Sequence, residues 1–264
     1  RTAAWDIGAG TIEAAALEDL DAVVHLAGEP IAGRWTAEKR RRIVDSRVEG
    51  TGLLARTLAG LDRPPRVLVC ASAIGLYGDR GDTRLDETAS AGDGFLPDVV
   101  QAWEGAADPA RAAGIRVVHL RFGLVLWPGG GALERLLLPM RAGVGGRLGA
   151  GRQWWSWVTL DDVVGAILHG VATAGLEGPA NVAAPGAVRN AEFTEVLARV
   201  LNRPAFLPAP APALRAVLGE DAAEELLLSS ARVVPGALER TGYRFSDPVL
   251  EPALRHQLGR YPSS

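Results

Sequence analysis

The stretch Leu20-Asp-Ala-Val-Val-His-Leu-Ala-Gly28 decides the fold. It is a run of apolar and β-branched residues that stops at a glycine, which is typical of a strand buried on both faces of a parallel sheet. Val67-Leu-Val-Cys-Ala-Ser72 and Ile115-Arg-Val-Val-His-Leu-Arg121 have the same character. These runs predict three neighbouring strands of one parallel sheet.

Segments with helical periodicity separate these strands. Apolar residues recur at helical spacing in residues 36–61, and residues 99–113 form a second predicted helix that ends at Gly114. Strands that alternate with helices across short Gly- or Pro-containing connections predict an α/β fold. We therefore expect a doubly wound parallel sheet, Rossmann-like, with helices on both faces.

The second half of the chain is less regular. It predicts strands at 157–160 and 180–183, and helices at 133–141, 163–173, 214–228 and 251–258. Residues 203–212 are rich in proline and predict a stiff connector. We expect a nucleotide-binding core in residues 1–126, substrate-side elements that share this core in residues 127–203, and a small C-terminal helical domain in residues 204–264.

The composition excludes several classes of protein. Lys+Arg 28 against Asp+Glu 31 give a net charge of −3 over 264 residues, so no general basic field favours nucleic acid. The single cysteine, Cys70, excludes a disulfide framework and favours a reducing compartment. No apolar run reaches the roughly 20 residues that span a bilayer, and no signal peptide is visible. We expect a cytoplasmic protein with a small-molecule substrate and no membrane or nucleic-acid partner; its oligomeric state is left open.

The start of the chain departs from the usual layout of such a sheet. A dinucleotide-binding sheet normally opens with a strand, a glycine-rich turn and a helix that holds the pyrophosphate. G-x-G-x-x-G does not occur in this sequence, and Arg1-Thr-Ala-Ala-Trp-Asp-Ile7 predicts the third strand of the sheet. We expect that a first β-α-β unit, about 30 residues or more, is missing from this chain and that the phosphate site is incomplete without it.

Four short motifs carry a resemblance to a known family: Leu26-Ala-Gly-Glu-Pro30, Gly75-Leu-Tyr-Gly78, Gly149-Ala-Gly-Arg-Gln153 and Asp161-Asp-Val163. In these the chain resembles the extended short-chain dehydrogenases/reductases, the NAD-dependent epimerase/dehydratase superfamily. The pair Trp103-Glu104, and Gly129-Gly-Gly131 followed by Leu138-Pro-Met140, narrow the resemblance to the "epimerase family protein" subgroup called YfcH or SulA-like. The segment from about Pro204 resembles that subgroup's C-terminal domain, DUF1731.

The resemblance implies a nicotinamide cofactor at the carboxyl edge of the sheet, where open α/β sheets bind ligands. We expect NADP(H) rather than NAD(H), because arginines on the helix after Gly28 suit an additional phosphate. A solvated basic face is the alternative for these arginines, and a plain strand-to-loop glycine is the alternative for Gly28. The predicted cofactor contacts are Asp6, Leu26, Ala27, Gly28, Glu29, Arg42, Arg47 and Val125.

The catalytic residues of the family are not all present. Short-chain dehydrogenases use a Ser or Thr and a Tyr-x-x-x-Lys pair, in which the lysine and the cofactor lower the pKa of the tyrosine. The only lysine, Lys39, precedes every tyrosine, namely Tyr77, Tyr243 and Tyr261. Ser72 stands in the expected serine position, with one residue more than the commonest spacing before Tyr77.

Three alternatives for the function therefore remain open. Ser72 and Tyr77, with Glu104 as a third candidate, could form a rearranged acid/base set in an oxidoreductase or epimerase-like enzyme for a small polar substrate. Without a nearby cation, however, Tyr77 would keep a pKa near its reference of about 10. The chain could instead bind NADP(H) without chemistry, as a sensor or scaffold connected with cell division by analogy with the SulA-like name. Without its phosphate loop it could bind nothing.

Two further residues are candidates for substrate contacts. Arg152 could meet a phosphate or carboxylate, and Trp155 could line a pocket opposite the nicotinamide, although core packing is an equally good prediction for the tryptophans at 154–157. The pair Asp161-Asp162 predicts a helix cap. The four histidines are scattered along the chain, so we expect no metal site.

Overall fold

The computed structural model describes residues 2–260, and short elements surround one larger sheet. The strands are β1 (Trp5–Asp6), β2 (Thr11–Ile12), β3 (Ala22–His25), β4 (Val67–Ala73), β5 (Arg84–Leu85), β6 (Arg116–Phe122), β7 (Leu124–Leu126), β8 (Trp154–Trp155), β9 (Trp157–Thr159), β10 (Gly178–Val182), β11 (Val188–Arg189) and β12 (Arg232–Val233). The α-helices are α1 (Ala37–Ala59), α2 (Phe95–Gly105), α3 (Asp108–Ala112), α4 (Gly131–Arg141), α5 (Leu160–Ala172), α6 (Asn190–Leu201), α7 (Ala211–Leu218), α8 (Glu220–Ala223), α9 (Gly236–Arg240) and α10 (Leu250–Gln257).

Four strands form a parallel sheet in the order β10-β6-β4-β3. Leu68 and Val117 on one face pack with residues of α1 and α3, and Val69 and Val118 on the other face pack with α5. Because both faces are covered, β4 and β6 are buried along nearly their whole length. The predicted doubly wound α/β fold is confirmed.

Helix α1 follows from local sequence signals. The Thr36 side chain caps its start by accepting the Lys39 N–H at 3.2 Å, and Gly60 ends it. Ile43 and Leu58 are fully buried, as the apolar spacing predicted. The helix predicted over 99–113 is instead two helices, α2 and α3. Pro109 in the first turn of α3 has no N–H for a continuous helix, so the chain breaks before it.

The first residues do not join the parallel sheet, which corrects the prediction of a third strand over residues 1–7. Trp5–Asp6 pairs with Thr11–Ile12 as an antiparallel hairpin. The turn is local: Asp6 Oδ1 accepts the Ala9 N–H at 2.9 Å, and Gly10 takes a φ of +66°. A partner a few residues away is reached at a smaller entropic cost than a distant sheet edge. Arg1 lies outside the described residues, as does Tyr261.

Asp162 is not the cap of α5. Thr159 is the N-cap, and its hydroxyl accepts the Asp162 N–H at 3.3 Å. The fully buried Asp162 carboxylate reaches the C-terminal segment instead, where it accepts the Tyr243 hydroxyl at 3.0 Å and the backbone N–H of Ser246 at 2.8 Å and of Asp247 at 3.1 Å. The sequence predicted that Asp162 caps α5. In the structure its carboxylate instead holds the C-terminal segment against the start of this helix.

The C-terminal segment packs onto the rest of the chain. Strand β12 pairs in parallel with β5, and Leu250 and Leu254 of α10 join the core formed with α4 and α6. The single helix predicted over 214–228 is divided at Gly219, whose φ is +87°, and ends in one turn of π-helix at Glu224–Leu228. Among residues 2–260, no helix is long and apolar enough to cross a membrane. The domain boundaries at 126 and 203 stay predictions.

Candidate active site

A buried ion pair lies at the carboxyl ends of the two central strands. Ser72 at the end of β4 and Arg121 on β6 are adjacent in the register of the sheet. Glu104 on α2 is hydrogen-bonded to both side chains. Its Oε1 accepts the Ser72 hydroxyl at 2.6 Å, and the Arg121 guanidinium donates to both of its oxygens at 2.8 Å. This two-pronged contact fixes the carboxylate in one orientation.

Tyr77 extends this network away from Glu104. The Arg121 Nη1 donates to the Tyr77 hydroxyl at 3.0 Å, and that hydroxyl donates to Asn181 Oδ1 at 2.7 Å. Asn181 is held in turn, since its amide donates to the Val234 carbonyl and its backbone N–H to Glu87. Tyr77 is 0% exposed and Ser72 only 3% exposed. In this arrangement the hydroxyls of Ser72 and Tyr77, both predicted to be catalytic, are hydrogen-bonded to other side chains of the protein.

The charges of the network follow from burial and pairing. Burial favours the neutral form of Glu104, but the hydrogen bond and charge of Arg121, helped by Ser72, lower the pKa of this carboxyl below its usual range. Burial disfavours the charged form of Arg121. The hydrogen bonds and the negative charge of Glu104 have a larger effect in the opposite direction and raise the pKa of the guanidinium. Burial raises the pKa of Tyr77 even though Arg121 acts in the opposite direction. A cation, Arg121, thus stands beside Tyr77, yet the phenol stays protonated.

The end of β3 forms an open shelf beside this network. Leu26 is 54% exposed, and Ala27 and Gly28 are exposed as well. The Arg47 guanidinium lies against this shelf: a Cβ added at Gly28 would stand 3.3 Å from its Cζ. Arg47 Nη1 donates to the Glu29 carbonyl at 2.9 Å, and its Cζ lies 4.9 Å from the centre of the Trp103 ring. The predicted residues 26–28 and Arg47 are therefore brought together.

The other predicted cofactor residues are less closely grouped. The Glu29 carboxylate pairs with Lys39 at 2.6 Å and with Arg42 at 3.3 Å, and these contacts lower the pKa of Glu29. Asp6 is exposed at the end of β1. Val125 lies on β7 and packs with the core cluster around Val158.

The two predicted substrate contacts have different surroundings. Trp155 is 8% exposed and packs edge-to-face with Phe193 at 5.2 Å between ring centres, which is the core packing that the alternative predicted. Arg152 is exposed on the loop before β8. Trp154 lies between the guanidiniums of Arg189 and Arg232, each 4.3 Å from its ring. The Trp155 ring thus packs against α6, and a substrate contact by Trp155 or Arg152 stays a prediction.

Comparison with known proteins agrees with this architecture. The model of the NAD-dependent epimerase/dehydratase family matches residues 6–183, and the domain of unknown function DUF1731 matches residues 209–257. The chain belongs to the NAD-dependent epimerase/dehydratase family. Its relatives include the epimerase family protein Mb2239 of Mycobacterium bovis, 42% identical over 97% of this chain and 84% of the relative. The human epimerase family protein SDR39U1 is 36% identical over 95% of this chain and 85% of that protein.

Solved structures place this epimerase-family chain in the same group. It matches a crystal structure of human SDR39U1 (isoform 2) with NADPH at a TM-score of 0.87 and 34% identity, over 93% of this chain and 84% of that one. A nucleoside-diphosphate sugar epimerase from Corynebacterium glutamicum matches at a TM-score of 0.78 and 33% identity, over 97% of this chain and 49% of that one. The resemblance inferred from the short motifs is confirmed.

Sequence reasoning missed a second buried polar group in this family member. His25 Nε2 is hydrogen-bonded to Thr51 Oγ1 at 3.1 Å, and Trp103 Nε1 donates to the same oxygen at 2.9 Å. Thr51 therefore ties α1 to both β3 and α2. The available signal was His25 within an apolar strand, since a buried polar side chain requires a partner.

The buried histidines predict how stability depends on pH. Burial lowers the pKa of His25 and of His119 to about 4. Between pH 4 and the unfolded value of about 6.5 the unfolded state binds more protons, so stability falls as the pH falls, by up to about 1.4 kcal/mol per pH unit for each histidine. Urea unfolding of the wild type at pH 7 and pH 5 measures this slope. The variant His25→Gln should lose part of it, and an unchanged slope would contradict a neutral buried His25.

Proposed function

We propose that this chain binds NADP(H) along the shelf of residues 26–28 and acts as an oxidoreductase or epimerase-like enzyme on a small polar substrate. The observation that carries the proposal is the Arg47 guanidinium packed against the exposed backbone of Gly28, at the edge where open α/β sheets bind ligands. The family relationship supports it, as does the NADPH in the human SDR39U1 structure.

The residues at this edge fit such a cofactor. Because Gly28 has no side chain, the Arg47 guanidinium can lie against the backbone there, where a Cβ would stand 3.3 Å from its Cζ. Arg47 would pair with a cofactor phosphate. Leu26 and Ala27 would pack against the cofactor. Bound there, a nicotinamide would supply the hydride donor or acceptor. NAD(H) is the less favoured cofactor, because it lacks the additional phosphate.

The state of the two hydroxyls favours a second candidate function, a nucleotide-binding protein that does no chemistry. Ser72 and Tyr77 are buried and bonded to Glu104, Arg121 and Asn181, so neither is free to exchange a proton with a substrate. A sensor or scaffold, connected with cell division by the SulA-like analogy alone, would need only the cofactor shelf.

Cofactor oxidation tests the two functions against each other. Full-length protein with NADPH is offered a panel of carbonyl compounds and sugar nucleotides, and the loss of reduced cofactor is followed by its absorbance. Turnover of any member supports the enzyme. Saturable NADPH binding without turnover across the panel supports the silent binding protein. A Ser72→Ala variant that kept full turnover would remove Ser72 from a catalytic role.

Arg47 provides a sharper test of the shelf. In Arg47→Met the aliphatic part still covers Trp103 but the charge is lost. Because a hydrogen bond to a charged group contributes about 1.5–3 kcal/mol, NADPH binding should weaken about tenfold or more. Arg41→Met, at an exposed position of the same helix, is the matched control and should bind as the wild type does. Equal affinities for all three proteins, measured by calorimetry, would exclude Arg47 from the site.

A further inference from the structure

A carboxylate from the C-terminal segment occupies the start of α2. Glu225 accepts the Phe95 N–H at 2.9 Å and the Leu96 N–H at 2.6 Å, one on each oxygen. The N-cap residue is Gly94, with a φ of +124° and no side chain to cap the helix. Glu225 therefore supplies, from a distant part of the chain, the anion that a helix N-terminus favours.

The same segment also contacts the first turn of α1 and the loop that precedes it. Asp221 pairs with Arg40, whose guanidinium also lies 4.7 Å from the Phe95 ring. Ala222, which is 1% exposed, packs in a cluster with Trp35 and Leu96. Trp35 follows the end of β3, and Phe95 follows the loop after β4. Residues 220–228, which we call the lid segment, thus connect the loop between β3 and α1 with the first turn of α2, the helix that follows the loop after β4.

Several features of the lid segment are those of a movable element. Gly219 before it has a φ of +87°, and its last five residues form one turn of π-helix, a rare conformation that is frequent at functional sites. Only Ala222 and Ala223 of the segment are fully buried. Leu226 packs against the cluster around Trp35, and Leu227 packs against the core that contains Leu148, but both stay partly exposed. Segments with few fully buried residues open at a lower free energy than the core does.

The geometry points to a gating role: the lid segment closes the carboxyl edge of the sheet between the loops after β3 and β4, and Glu225 is the latch that holds it shut. Loops at these strand ends border the ligand crevice of open α/β sheets. The contacts of Glu225, Asp221 and Ala222 do not depend on any bound cofactor. The covering of a cofactor site by the lid segment rests on the proposed function.

Hydrogen exchange of the cofactor-free protein tests the latch. Glu225→Gln keeps the shape of the side chain but removes the charge, so the amides of both the lid segment and the first turn of α2 should exchange about tenfold faster, the effect of about 1.4 kcal/mol. Glu224→Gln is the matched control, because Glu224 pairs with Arg215 inside the C-terminal segment. It should exchange at the wild-type rate over residues 95–97.

Two results would overturn the latch. One is an unchanged exchange rate in Glu225→Gln. The other is faster exchange at α2 alone with a fully protected lid segment, because Glu225 would then be only a helix cap. Stopped-flow mixing with NADPH tests gating separately: the association rate should rise several-fold in Glu225→Gln, and a wild-type rate despite faster exchange would overturn the gate. Absence of any NADPH binding would count against the proposed function and leave the exchange result intact.

Discussion

Replacing Glu104 by alanine is expected to destabilise the protein by about 3–5 kcal/mol, because it leaves the Arg121 charge buried without its partner. The Arg121 side chain is 7% exposed and that of Glu104 is 16% exposed, so water cannot replace the lost carboxylate. Ser72 loses its acceptor at the same time. The free energy of unfolding, from urea denaturation at pH 7, measures the effect.

A more exposed glutamate on the same protein provides the control. Glu251 also pairs with two arginines, Arg199 and Arg255, but its side chain is 33% exposed. Glu251→Ala should change the free energy of unfolding by no more than about 1 kcal/mol, since solvent screens such pairs. Equal losses for Glu104→Ala and Glu251→Ala would contradict the description of the Glu104–Arg121 pair as a buried organising contact.

Asp162→Ala is expected to have the second-largest effect, a loss of about 3 kcal/mol, because two backbone N–H groups and the Tyr243 hydroxyl lose a buried charged acceptor. The loss should have a local signature, with the amides of residues 243–258 exchanging faster than those of the central sheet. Asp161→Ala removes the neighbouring exposed carboxylate, whose bond is to Gln257, and should leave these amides protected. Equally faster amide exchange in the central sheet and in residues 243–258 of Asp162→Ala would contradict the anchoring role.

The parts of the structure that sequence alone could predict are those set by local pattern. The apolar runs at 20–28, 67–72 and 115–121 located three strands of the sheet, because burial on both faces demands uninterrupted apolar character. The helix over 36–61 was predicted within a few residues for the same reason, since its apolar face repeats at helical spacing. The family resemblance rested on short motifs at strand ends, and the family match confirms it.

The site was harder to predict because its contacts join distant parts of the chain. Tyr77 meets Asn181 across 104 positions, and Glu225 caps α2 across 129 and 130. No local pattern specifies such partners. One signal was available, however: Arg121 within an apolar strand had to find an anion, since an unpaired buried charge is too costly. That argument would have predicted a buried carboxylate, which is Glu104 in the structure, as the partner of Arg121.

The central claim is that the carboxyl ends of these strands hold a reduced nicotinamide dinucleotide. The direct test is a titration of full-length protein with NADPH and, separately, with NADH, followed by the fluorescence of its seven tryptophans. Saturable quenching by NADPH, at lower concentration than by NADH, is the predicted result. No saturable change with either cofactor, together with no heat of binding in calorimetry, would contradict it.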